Sequence, residues 1–332
     1  MPEPMPQAWL DQVAEEIVDP DQRIVDPHHH LWPTGQGMSY DFAALSADVG
    51  SGHAVQHTVF VECHSAYRTS GPAHLAPAGE TEFVAGEAAR HPGGLIAGIV
   101  AYADLTDVEH LGEALDMHDD AGGGRFRGVR HAGARDPHPE SLTIPGRGAQ
   151  GLYADPAFRA GVAELGRRGL TYDTWHFHHQ NADFAALARA VPGTTMVLDH
   201  FGTPLGVGEY AGRREEIFDE WRSGISEIAK CENVVAKLGG LAMPDNGFGW
   251  HQADRPPTSD EFVTAQRPYY LHTIAAFGPE RCMFESNFPV DRLSLSYPVL
   301  WNGFKKIAAG FSDHERDAMF FGTAARVYRI EV

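Results

Sequence analysis

A (β/α)8 barrel is the architecture this sequence predicts, and three observations carry the prediction. Eight short, nearly unbroken apolar runs recur along the chain. Stretches of helical periodicity separate them, and no glycine fingerprint of a dinucleotide-binding open sheet follows the first run. Parallel strands covered on both faces read as continuous apolar runs rather than alternations, and 332 residues leave room for eight β/α units in one domain.

In chain order the strands are expected at residues 23–26 (RIVD), 57–62 (HTVFVE), 95–105 (LIAGIVAYADL), 126–130 (FRGVR), 170–175 (LTYDTW), 195–200 (TMVLDH), 233–238 (NVVAKL) and 281–286 (RCMFES). Helices are expected at 81–90, 108–116, 156–168, 182–190, 213–230 and 266–277. Asp155 before Pro156 supplies an N-cap with proline at the first helical position, and Gly169 supplies a stop. Residues 1–22 read as an extension with a helix from 9 to 17, lying outside the barrel or across its bottom; residues 23–332 read as the barrel domain. Two Gly/Pro-rich connections, 202–212 and 239–262, belong at the C-terminal face, where barrel loops build active sites.

Composition narrows the function. There are 26 Lys and Arg against 45 Asp and Glu, a formal charge of −19, which argues against a nucleic-acid or anionic-membrane surface. Three widely spaced cysteines, Cys63, Cys231 and Cys282, suit buried thiols in a reducing compartment, not a disulfide framework. The N-terminal residues lack the basic end and apolar run of a signal peptide, and no apolar stretch is long enough to span a bilayer. The expectation is a cytoplasmic protein with a small-molecule partner, compatible with a homodimer.

The chemistry is expected at strand ends. The first strand runs into Asp26-Pro27-His28-His29-His30, where alternation puts His28 and His30 on one face. The sixth ends in Asp199-His200, and a barrel gathers strand ends at one rim, so His28, His30 and His200 are candidates for a shared Zn²⁺ or Mn²⁺ site. Histidines beside an Asp-Pro turn also serve as hydrogen-bonded structural residues; the third histidine at a separate strand end is what favours the ligand reading. Asp199, one residue before His200, is expected to point away from it.

The segments DPHHHLW, FRGVR, VLDHFG, NVVAKLGG and RCMFESNFPVDR, in this order and spacing, resemble the amidohydrolase superfamily. The resemblance is strongest to the lactonase-like branch that includes sugar-lactone and 2-pyrone-4,6-dicarboxylate lactonases, and it covers roughly residues 23–328. It implies a barrel with its site at the C-terminal mouth and hydrolysis of lactone or similar ester bonds, with a divalent metal in some members and none in others. It places His28 and His30 on the family's first-strand pair, His200 on its strand-six histidine, and Arg130 on an arginine that in lactonases holds a substrate carboxylate. The chain departs from the family at strand eight. Asn287 stands where an aspartate usually takes the proton of the attacking water, and a carboxamide cannot act as that base.

Replacements for the missing base are Glu285, two residues earlier on the same strand face, Glu62 at the end of the second strand, and His176 beyond the fifth. Each carboxylate is equally suited to a buried pair with an arginine. Cys63 lacks the partners of a thiol nucleophile. For substrate, Arg130 is a carboxylate fork, and His176, His178, Trp175, Lys237 and Phe288 are candidate contacts. Trp32, Tyr40, Tyr67, Phe177 and Trp250 are further aromatic candidates for the walls of a ring-binding pocket. Lys237, if buried, needs an acidic partner, with Glu62 or Glu285 the candidates. The leading expectation is a lactonase-like hydrolase acting on a carboxylated ring compound, with metal-free operation as an alternative. A decarboxylase, isomerase or lyase on the same barrel is the second reading, and a binding protein without catalysis is the third.

Overall fold

In the computed structural model, which describes residues 4–91 and 93–331, eight parallel strands pair in strict chain order. They are β1 (Arg23–His29), β2 (Ala54–Val61), β3 (Ile96–Ala101), β4 (Phe126–Arg130), β5 (Thr171–Thr174), β6 (Met196–Leu198), β7 (Val234–Leu238) and β8 (Cys282–Phe284). Each falls on an expected run. β1 and β2 are longer than expected, whereas β3, β5, β6, β7 and β8 are trimmed; at β6 and β8 the lost ends are the polar Thr195, Asp199, His200, Arg281, Glu285 and Ser286.

The barrel is nearly closed, and its seam lies beside the future site. Beyond β8 the His30 amide donates to the Phe288 carbonyl (2.8 Å) and the Asn287 amide to the His28 carbonyl (3.0 Å). Lower down a side chain replaces the ladder: Asp26 Oδ1 accepts from the Ser286 amide at 2.9 Å, and Oδ2 accepts from Tyr297 Oη at 3.0 Å. Burial pushes the Asp26 carboxyl up to about 6 against these hydrogen bonds.

Strand alternation sorts the interior into layers. Val25, Val59, Val100, Val197, Val235 and Met283 form an apolar cluster inside the barrel, plugged by Phe321, Tyr328 and Ile330 of the C-terminal segment. Two residues further up the same faces stand Val61, Asp199, Lys237 and Glu285, so the charged layer sits directly on the valine layer. Outside the strands, a larger cluster that includes Phe60, Tyr172, Leu198, Ala236 and Phe284 packs against the helices.

The helices cover the strands as expected, with extensions. α1 (Gln7–Leu10) is followed by α2 (Phe42–Val49), α3 (Ala78–Arg90), α4 (Leu111–Gly122), α5 (Pro156–Arg167), α6 (Asn181–Ala190), α7 (Arg214–Ile228), α8 (Ser259–Phe277) and α9 (Tyr297–Ala308). Asp155 caps α5 through the Ala157 amide, as its sequence signals. α8 begins seven residues earlier than the expected 266, because Thr258 and Glu261 make a capping box. It therefore ends the 239–262 connection early. α2, capped by Asp41, and α9 were absent from the expected set.

The N-terminal extension differs from the expected helix over 9–17. Only Gln7–Leu10 is helical, and residues 1–3 lie outside the described residues. The segment instead binds α8 and α9 as an irregular strap. Glu15 accepts from the Ser259 amide (2.7 Å) and from Asn302 Nδ2 (3.0 Å), which also donates to the Glu16 carbonyl. Asn302 Oδ1 takes the Val18 amide, so side chains of the barrel satisfy backbone groups a helix would have used internally. Trp9 Nε1 donates to the Ala253 carbonyl beyond β7, so the strap starts near the C-terminal rim and does not cross the bottom. Among the described residues no helix is long and apolar enough to cross a membrane.

Candidate active site

His28 faces inward because the β1–β2 register breaks between Asp26 and His29. Pro27 has no amide to keep the ladder, and the break shifts the side-chain parity. His29 then points outward, its ring against Phe60 and its Nε2 3.0 Å from Thr58 Oγ1. His28 and His30 rings stand 5.0 Å apart, and His28 and His200 rings 4.6 Å apart. The three imidazoles thus meet at one mouth.

The expectation for Asp199 is overturned. Asp199 shares the inner face of Val197, so strand alternation alone would send His200 outward. His200 instead adopts a left-handed backbone (φ 52°), followed by Phe201 (φ 55°), which brings its ring inward as well. Both Asp199 and His200 therefore belong to the cluster.

Glu285 is the centre of that cluster. Oε1 accepts from His200 Nδ1 at 2.7 Å and from the His200 amide at 3.2 Å. Oε2 lies 2.7 Å from His28 Nδ1 but outside hydrogen-bonding alignment, and that nitrogen also receives Lys237 Nζ at 3.3 Å. Burial pushes the Glu285 carboxyl up to about 8 and the His200 imidazole down to about 3; burial likewise drives His28 well below the ordinary imidazole range.

Lys237 lies in the barrel interior, with Asp173 Oδ2 at 3.1 Å and Asp199 Oδ1 at 3.0 Å. Its partners are therefore not primarily the expected Glu62 or Glu285. Burial opposes the ammonium, but Asp199, Asp173 and Glu285 hold it above its usual range. Tyr328 Oη closes the bottom of the column by donating to Asp173 Oδ2 (2.5 Å). Asp173 was not among the expected residues; an aspartate inside an apolar strand run was the available signal.

Arg130 and Glu62 pair across the mouth. Arg130 Nε donates to Glu62 Oε1 at 2.7 Å, Nη2 donates to the Glu62 carbonyl, and Nη1 faces His28 Nε2 at 3.4 Å. Asn287 is buried with φ 55° and donates through Nδ2 to Asp291 Oδ1 at 2.9 Å. Burial pushes the Asp291 carboxyl well above the usual carboxylate range. Asp291, four residues beyond Asn287, is a site neighbour the sequence reading missed.

Other candidates are placed elsewhere. His176 bonds Asn181 Oδ1 through Nε2 (2.9 Å) and lies 3.2 Å from Tyr153 Oη through Nδ1, so both nitrogens are engaged away from Glu285. His178 Nδ1 accepts from the Leu205 amide, and Trp175 Nε1 donates to Thr203 Oγ1. Phe288 is buried edge-on against Tyr297 and forms no pocket wall; Trp32, Tyr40 and Phe177 are buried too. Cys63 directs Sγ at the Leu31 carbonyl, and burial raises its thiol well above the usual range, which leaves it inert.

The residues fit a divalent cation. His28, His200 and Glu285 offer ligand atoms all within 4.8 Å of one another, and they are the set so placed among the described residues. This differs from the three-histidine set: Glu285 joins His28 and His200. His30 pairs Nδ1 with the Val61 carbonyl at 2.8 Å, which leaves its Nε2 as an acceptor. Glu285 Oε2 lies 2.7 Å from His28 Nδ1 with no hydrogen-bond partner, an oxygen that a bound cation would complete. Once Arg130 neutralises Glu62, Asp173, Asp199 and Glu285 face the single ammonium of Lys237, a deficit that a divalent ion balances.

Residues 25–330 match the family described as "Amidohydrolase". The uncharacterized protein y4mH of Sinorhizobium fredii is 33% identical over 329 residues, covering 93% of this chain and 99% of the relative. L-fucono-1,5-lactonase of Burkholderia multivorans is 27% identical over 312 residues, covering 92% and 96%. A crystal structure of a Burkholderia multivorans amidohydrolase with bound zinc superposes with a TM-score of 0.71 at 26% identity, covering 93% of this chain and 99% of that one.

Proposed function

Because the chain belongs to the amidohydrolase family, we propose that it is a hydrolase opening lactones or related cyclic esters, and that its substrate is a neutral, hydroxyl-bearing ring. The observation that carries the reading is the convergence of His28, His200 and Glu285 above a sealed barrel interior. Its likeness to L-fucono-1,5-lactonase supports the bond type.

The charge pattern supports the neutral substrate over the carboxylated ring of the sequence reading. Arg130 already spends two of its nitrogens on Glu62, and the layer beneath it carries more carboxylates than cations. With that layer balanced by the divalent ion and Arg130 committed to Glu62, no cation is left to pair a substrate carboxylate. The same argument weighs against decarboxylation of an aromatic acid.

A Zn²⁺ or Mn²⁺ held by His28, His200 and Glu285 would polarise the ester carbonyl and acidify a bound water. Asn287 orients the attacking water by accepting through its carboxamide oxygen, since Nδ2 is committed to Asp291. Of the three candidate bases Glu285 alone adjoins His28 and His200 and would take the proton on Oε2, which has no hydrogen-bond partner; Glu62 stands apart with Arg130, and His176 is engaged with Asn181 and Tyr153. Arg130 keeps Nη1 for the oxygen on which charge develops. Lys237 keeps Asp199 and Asp173 in place beneath His28.

The test is turnover of hexono-1,5-lactones in ¹⁸O-labelled water, with protein loaded with Zn²⁺ or Mn²⁺ and with chelated protein. The reading expects solvent oxygen in the product acid and loss of rate on chelation that either ion restores. Release of CO2 from an aromatic acid with no lactone opened would overturn it. Full rate after chelation would remove the ion from the reading.

A further inference from the structure

On the open side of the mouth one acceptor has nothing to accept. Glu62 is 3% exposed, its Oε1 is fixed by Arg130 Nε, and its Oε2 is buried without a hydrogen-bond partner. Because Arg130 also grips the Glu62 carbonyl, the carboxylate cannot turn to satisfy that oxygen elsewhere. A buried, unpaired carboxylate oxygen is costly unless a ligand completes it.

The next loop supplies a matching donor. His64 Nε2 stands 3.6 Å from Glu62 Oε2, and His64 Nδ1 lies 2.9 Å from Tyr67 Oη. A tyrosine hydroxyl donating to Nδ1 leaves the hydrogen of the neutral ring on Nε2, facing Glu62. The His64 side chain is 51% exposed, and Tyr67 Oη holds it from one side.

The backbone is built for this placement. His64 (φ 60°) and Ala66 (φ 52°) both take the left-handed conformation, which non-glycine residues adopt at a cost. Glu80 on α3 holds that turn, accepting the Cys63 amide at 3.0 Å and the Ser65 amide at 2.7 Å. Tyr102, 5.4 Å from the His64 ring, supplies an aromatic face at the edge of β3.

We infer that Glu62 and His64 form a hydroxyl-reading subsite, in which one hydroxyl of the substrate ring donates to Glu62 Oε2 and accepts from His64 Nε2. At 3.6 Å the two groups are too far apart for a hydrogen bond to each other, yet one hydroxyl oxygen can lie roughly 2.8 Å from both. A carboxylate, which only accepts, and a methylene, which does neither, fail against this pair. Glu62 and His64 act here on specificity, not on the bond that breaks.

The inference rests on the lactonase reading, and the experiment separates the two. D-glucono-1,5-lactone and unsubstituted δ-valerolactone are compared as substrates of the metal-loaded wild type, His64→Ala and His64→Gln. The half-exposed position makes both variants compatible with folding, which circular dichroism checks. His64→Ala is expected to lower kcat/KM for the hydroxylated lactone by roughly ten- to a hundredfold, mainly through KM, with δ-valerolactone unchanged. His64→Gln, which keeps a donor, recovers part of the loss. Equal loss on both lactones, or none on either, overturns the subsite. Binding of myo-inositol, which has hydroxyls and no ester, is followed by calorimetry in parallel. If no lactone is opened but inositol binds the wild type and not His64→Ala, the subsite stands and the lactonase reading falls. Equal inositol affinity in wild type and His64→Ala counts against the subsite.

Discussion

Two His-x-His segments with identical spacing leave opposite sides of the barrel, at β1 and β5, and end in opposite situations. His28 and His30 sit where β1 meets the chain beyond β8, with Glu285, Lys237 and Arg130 against His28. His176 and His178 follow β5 into a short turn, where Asn181 and Tyr153 engage both nitrogens of His176 and the Leu205 amide engages His178 Nδ1. The first pair is surrounded by charge and by unpaired carboxylate oxygens; the second is neutral and bonded only to uncharged groups, with His178 Nε2 left without a partner. Spacing brings two imidazoles near each other, but only the charged groups around them make them a site.

The largest effect in this comparison belongs to Glu285. Glu285→Gln is expected to lower kcat by at least about a thousandfold and to abolish retention of Zn²⁺ after desalting, measured by steady-state kinetics and atomic absorption. A variant with near wild-type rate would move the centre of the site elsewhere. Next, Lys237→Met leaves Asp173 and Asp199 facing each other without a cation. It is expected to cost about 3–5 kcal/mol of stability in urea titrations, with partial recovery in the double variant carrying Asp173→Asn.

On the β5 side, burial lowers the His176 imidazole to about 4 from an ordinary 6.5. The folded state therefore binds fewer protons than the unfolded chain between these values. Its contribution to stability is full above pH 6.5 and disappears as pH falls toward 4, by about 3 kcal/mol at most. His176→Gln is expected to flatten the fall in urea midpoint between pH 7 and pH 4.5 relative to wild type. Smallest of all, His178→Asn removes one hydrogen bond to the Leu205 amide and is expected to change kcat/KM by less than about threefold. A loss comparable to that of Glu285→Gln would return the β5 pair to the site.

The barrel was legible because each strand is buried on both faces and so announces itself as an apolar run. His28, His30, His200 and Glu285 were legible because each lies at the end of such a run. Asp199 was misread since the alternation rule ends where the backbone turns left-handed at His200. Asp291 was hidden because it reaches Asn287 through a helical turn rather than along a strand. The strap formed by the N-terminal residues was unreadable for a different reason: its conformation depends on Asn302 and Ser259, almost three hundred and two hundred and fifty residues away.

The closing hydrogen bonds of the barrel, from the His30 and Asn287 amides, are made by the backbone of the same residues whose side chains line the mouth. Occupancy and cylinder integrity are thereby one equilibrium: whatever draws His28 and Glu285 together also tightens the last stitch of the sheet. Amide exchange at His30 and Asn287 should consequently slow on loading with Zn²⁺, reporting ligand arrival as a change in the opening rate of the whole wall.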